Sequence, residues 1–146
     1  MSAALVDLSM SVDSARRTIA DHISICRWWR KAASDTVIFL AHSYKSEDET
    51  TALAIVLSDR LLAAEIHGIR NHAQISENMD IAGHLRPAEL VASACFVIAM
   101  KMKNPVAPCF VDILRMIGSD SDISDLSQCE IYILDKLDWQ VNATTG

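Results

Sequence analysis

Two charges stand where apolar stripes should run. Lys101 closes the segment Leu90-Val91-Ala92-Ser93-Ala94-Cys95-Phe96-Val97-Ile98-Ala99-Met100, and Glu130 interrupts Leu126-Ser127-Gln128-Cys129-Glu130-Ile131-Tyr132-Ile133-Leu134. On a helix, Leu90, Ala94, Ile98 and Lys101 share one face, as do Leu126, Glu130, Ile133 and Leu137. A charge on an inward face costs free energy unless it is paired or hydrogen-bonded. The two signs are opposite. Either the charges satisfy one another, or they sit at the rim of the core and grip polar groups of something else.

Other reactive residue types lead nowhere as sharp. His67, His72 and His84 share a stretch, but a spacing of five puts the first two on different helical faces, and no cysteine pair supports them as metal ligands. Cys95 and Cys129 lie within apolar helical runs, without the exposed, electropositive setting that activates a thiolate. No Gly-rich phosphate loop, pair of catalytic carboxylates or nucleophile elbow is present. The chain reads as a non-enzyme with no cofactor, no metal and no small-molecule substrate.

The elements that must position the two charges are helical. Only 4 Gly and 3 Pro occur in 146 residues, 51% of which are hydrophobic, a composition that favours helix and allows one domain with a sizeable core. Asp13 caps an expected first helix carrying Ala15, Ile19, Ile23 and Cys26. A second covers roughly Trp29 to Tyr44, with Ala33, Val37, Leu40 and Ala41 inward, and a third runs from about Glu49 to Ile66. The stretch from Gly68 to Leu85 lacks a period and reads as a long loop. Pro87 opens the Leu90 helix, which is the most apolar and so expected at the centre. A short helix from Cys109 to Ile117 stops at Gly118, and Ser124 and Asp125 are expected to cap a last helix reaching about Leu137.

The formal charge of −6 argues against nucleic acid, which rewards basic faces. The one basic–aromatic cluster, Arg27-Trp28-Trp29-Arg30-Lys31, is short and reads as a helix face. The longest uncharged run falls well short of the ~20 residues that span a bilayer, and Asp7 interrupts the start where a secretory signal needs an apolar stretch. Cys26, Cys95, Cys109 and Cys129 lie far apart and read as reduced, buried, intracellular thiols.

In order and spacing these pieces resemble a cyclin box, from about Trp29 to Thr144. Leu126 to Trp139 is similar to the family's fifth box helix, with an acid, then Ile-Leu, then Leu-x-Trp. Ala92 to Lys101 resembles the third helix, ending in Ala99-Met100-Lys101. Glu49 to Leu62 resembles the second, with its Asp59-Arg60 pair, and Arg30, Asp35, Tyr44 and Lys45 fall at the distances expected of the first. The implied fold is all-α: a five-helix cyclin-box-like domain over 29–146, with an additional helix in an N-terminal extension, 1–28.

Five residues recur in that family as a set, an Arg, an Asp, a Leu, a Lys and a Glu. Arg30, Asp59, Leu90, Lys101 and Glu130 occupy those positions here. The resemblance implies that Arg30 and Asp59 form an internal ion pair joining the first two box helices. It implies that Lys101 and Glu130 contact a cyclin-dependent kinase, hydrogen-bonding backbone groups beside its C-helix. Leu90, Phe110, Leu114 and Ile131 are expected to join that kinase-binding face. The expected role is a regulatory subunit that activates the kinase, intracellular and nuclear and/or cytoplasmic. A cyclin-fold adaptor, or a module that sequesters a kinase without activating it, is the alternative. The chain departs from the family in its long 67–86 connection and in a small, polar set of docking-groove positions (Trp29 to Ala33 with Thr36). It also ends just after one box, as a short member or as part of a longer one.

Overall fold

The computed structural model describes residues 23–72, 85–103 and 108–137. The helix expected from Asp13 through Ile19 lies outside them. Five helices are present and no strand among the described residues: α1 (Ile23–Tyr44), α2 (Asp48–His72), α3 (Ala88–Lys103), α4 (Phe110–Ile117) and α5 (Ile123–Lys136).

Helix α3 is the axis of the domain. Every residue from Val91 to Met100 is buried, so the helix is apolar all round because it is covered all round. It packs against α1, α2 and α5. Small residues let those neighbours approach, with Ala92, Ala94, Cys95 and Ala99 fully buried. The buried Ser93 hydroxyl donates to the Glu89 carbonyl at 2.7 Å, so no polar group is stranded there. Glu89 in the first turn and Lys101 and Lys103 in the last suit the helix dipole.

Helix α1 starts earlier than Trp29. Its inward stripe runs without interruption through Cys26, Trp29, Ala33, Val37 and Leu40, all 2% exposed or less. No Gly or Pro separates Cys26 from Trp29, and among the described residues the helix runs unbroken from Ile23 across position 28/29. Helix α2 continues past its expected end at Ile66 to His72. A single helical glycine costs only about 1 kcal/mol, and Gly68 lies in open space. The stretch read as a loop from Gly68 is therefore helical for its first five residues.

Two chain reversals among the described residues close in the same way. After α1, Ser46 N–H donates to Ala41 O and Lys45 N–H to His42 O, with Lys45 at φ 52°. After α4, Ser119 N–H donates to Leu114 O and Gly118 N–H to Arg115 O, with Gly118 at φ 65°. These are Schellman closures, which need a left-handed residue just past the helix. Gly118 adopts that conformation without strain.

Of the two residues expected to cap helix α5, Ser124 and Asp125, only Asp125 takes part, as the reciprocal partner of the N-cap Asp122. Asp122 Oδ1 accepts from Asp125 N–H at 2.9 Å, and Asp125 Oδ2 accepts from Asp122 N–H at 3.0 Å. This reciprocal box satisfies two otherwise orphaned donors. Ser124 instead bonds the Gln128 side chain. Asp122→Ala is expected to lower unfolding free energy by about 1 kcal/mol in urea titrations, with Ser124→Ala close to neutral. Equal effects of the two substitutions would show that the cap has been misplaced.

A candidate partner-binding face

Lys101 lies in the last turn of α3 and Glu130 midway along α5. Their helices pack together, and Lys101 Nζ donates to Glu130 Oε2 at 2.7 Å. The two opposite charges do satisfy one another. They do so unequally with respect to solvent, since the Lys101 side chain is 45% exposed and that of Glu130 only 10%. The carboxylate is held in the inward stripe with Leu126, Ile133 and Leu137, all 1% exposed or less, and the ammonium covers it from the water side.

Phe110 opens α4 beside this pair, its ring centroid 5.7 Å from Lys101 Nζ, within cation–π range. One turn on, Leu114 is buried and anchors α4 to the core. Ile131, next to Glu130, is 53% exposed. Leu90 stands apart. It is half-buried in the first turn of α3, roughly 16 Å along the helix axis from Lys101, beside Ile117 and Gly118. The structure thus joins Lys101, Glu130 and Phe110, and leaves Leu90 at the opposite end of the helix.

Two apolar residues here escaped the sequence reading. Val111 and Ile123 are both exposed and line a hollow with Leu114 between α4 and the start of α5. The signal for Val111 was available: Phe110, Ile113, Leu114 and Ile117 form the inward stripe of α4, so Val111 and Met116 are apolar off that stripe.

Arg30 and Asp59 join α1 to α2 through two parallel hydrogen bonds, Nε to Oδ1 at 3.1 Å and Nη2 to Oδ2 at 3.0 Å. This bidentate fork is the strong form of an Arg–carboxylate contact.

A further polar cluster lies between α2, α5 and the lead into α3, and nothing in the sequence pattern marked it. Arg86 stacks its guanidinium 3.7 Å from the Tyr132 ring centroid and approaches Glu65 at 3.5 Å. Its carbonyl accepts the Trp29 indole N–H at 2.8 Å. Burial raises the Glu65 carboxyl above its ordinary value, with Arg86 and Tyr132 only partly opposing it. Folded protein then holds this proton to higher pH than the unfolded chain does. The stabilisation is present below about 4.5, the ordinary value, and is lost as pH rises through the folded value. Glu65→Gln is expected to remove that declining limb from a plot of unfolding free energy against pH. A wild-type limb that persists in Glu65→Gln would place its origin elsewhere.

All four cysteines are free, with Cys26, Cys95 and Cys129 buried. Cys109 is exposed, against expectation, because it precedes α4 without being part of its stripe. Burial pushes the Cys129 thiol up to about 11 and Cys95 well above its usual range, which leaves both protonated and unreactive at neutral pH. Among the described residues no cluster of three or more His, Cys, Asp or Glu is placed to hold a metal ion, and no helix is long and apolar enough to cross a membrane.

The family model described as "Cyclin, N-terminal domain" matches residues 9–142. No curated protein and no solved structure matches the chain significantly.

Proposed function

The chain belongs to the cyclin N-terminal domain family, and from that premise we propose that it binds and activates a cyclin-dependent protein kinase by packing on the kinase's C-helix. The observation that carries this reading is the Lys101–Glu130 pair, whose ammonium is half-exposed above a carboxylate that is only 10% exposed, with Ile131 exposed next to it in the chain. Its 2.7 Å bond leaves two donors of the half-exposed ammonium for a partner's backbone C=O groups, and the 10% of the Glu130 side chain that reaches the surface for a backbone N–H. Phe110, half-buried beside the pair, and exposed Ile131 supply apolar area, with Val111 exposed on the same short helix α4 as Phe110; apolar area with a polar anchor is the usual make-up of an interface core.

In this mechanism the chain supplies binding energy and no catalytic group. Docking favours the kinase conformation in which the C-helix is turned inward, with the kinase's own Glu against its ATP-positioning Lys. Such a partner places the protein inside the cell, in nucleus, cytoplasm or both. The adaptor reading draws on a different aspect of the same pair, since charges already satisfied internally have no need of a partner.

The deciding experiment is affinity capture of a protein kinase from cell lysate, followed by a phosphoryl-transfer assay of the purified kinase with and without the chain. Capture with a large rise in rate is the expected result. Capture with no rise supports sequestration, and failure to recover any kinase supports the adaptor.

A further inference from the structure

The outer face of α1 carries a pattern that the proposed kinase face does not use. Three large apolar residues are exposed on it, Trp28 at 52%, Ile38 at 54% and Phe39 at 47%. Between them Lys31 and Asp35 form an exposed pair at 2.8 Å. Helical spacing sets Asp35, Ile38, Phe39 and His42 at i, i+3, i+4 and i+7, the four corners of a hole that accepts one side chain from a facing helix.

We infer that this face is a homodimer interface in which two α1 helices pack antiparallel and Trp28 of each copy enters that hole on the other. The register is self-complementary. Trp28 lies five residues before Ala33, and Ile38 and Phe39 lie five and six after it. A two-fold axis level with residue 33 therefore sets each Trp28 opposite its partner's Ile38 and Phe39. Lys31 and Asp35 lie two residues to either side of the same level, so each Lys31 meets the partner's Asp35 without a shift. An isologous contact requires this reciprocity of one surface with itself, and the four charges then alternate in sign.

The ordinary lean of helical side chains agrees with this arrangement. Helical side chains lean toward their own N-terminus, which in an antiparallel partner points toward the C-terminal end of this α1. The contact is small, so the dimer is weak, with a Kd on the order of 10–100 µM. It shares no residue with the Lys101–Glu130 face and does not depend on the kinase reading.

Sedimentation equilibrium on the full 146-residue chain, from micromolar to several hundred micromolar, tests the proposal. Wild type is expected to pass from monomer to dimer over that range, and Trp28→Glu to remain monomeric with unchanged circular dichroism. Lys31→Asp is expected to weaken the dimer about tenfold by opposing like charges, and Lys31→Asp with Asp35→Lys to restore it. That rescue separates a facing pair from a loss of helix. Wild type monomeric throughout, a dimer indifferent to Trp28→Glu, or a double swap no better than Lys31→Asp would each overturn the proposal. So would a monomer whose kinase capture is abolished by Trp28→Glu, since the face would then belong to the kinase.

Discussion

A chain carrying Lys101→Glu together with Glu130→Lys keeps its helical content and captures no kinase. The two halves of this expected result have separate causes. Exchanging the charges rebuilds the ion pair with reversed polarity, so the inward stripe of α5 again holds a compensated charge. What changes is the sign presented to a partner. Donors then stand where a kinase backbone needs acceptors, and acceptors where it needs donors. Losing hydrogen-bonded charges at an interface centre costs about 2–5 kcal/mol, a fall of roughly one and a half to three and a half orders of magnitude in affinity.

The single reversals are poorer tests, and their inequality is itself informative. Glu130→Lys places an ammonium where the side chain is 10% exposed, next to Lys101, and is expected to destabilise the fold by several kcal/mol. Lys101→Glu sets two carboxylates together, but its side chain is 45% exposed and turns into water at smaller cost. Only the double exchange isolates recognition from folding. Binding by the double exchange with wild-type affinity would falsify the anchor, whatever the single variants do.

How much of this was legible without coordinates depends on the range of the interaction. Helix α3 announced its central place because an unbroken apolar run has only one stable environment. Lys101 and Glu130 stood out because each breaks a stripe, but the stripes alone left open whether the charges meet, since the pairing spans 29 residues. Their orientation toward a kinase came from family resemblance, which periodicity does not supply. The Glu65–Arg86–Tyr132 cluster was invisible because Arg86 lies in a segment with no period and its partners come from two other elements. Local ambiguity hid the α5 cap. Ser119, Ser121, Asp122, Ser124 and Asp125 are all good cap residues, and only the reciprocal bond between Asp122 and Asp125 selects one. The overlong loop was a misjudged propensity, with buried Ile66 holding α2 in place while the helix carries on through Gly68.

Arg30→Ala is expected to destabilise the domain by about 3 kcal/mol, and Asp59→Ala by about half that. The asymmetry follows from exposure. The Asp59 side chain is 16% exposed and that of Arg30 37%, so removing the guanidinium strands a largely buried carboxylate that has lost both of its bonds. Removing the carboxylate leaves a guanidinium that swings toward water and recovers much of its solvation. Arg30→Lys restores charge but only one donor direction, so it recovers part of the loss. Because both residues act through one contact, the double alanine variant costs less than the two single costs together. Urea titrations of the four variants decide the matter. Their effect on kinase capture should track the folded fraction alone, since this pair ties α1 to α2 and leaves Lys101 and Glu130 untouched. An Asp59→Ala variant as damaged as Arg30→Ala, or capture lost in fully folded protein, would mean that the pair does more than join two helices.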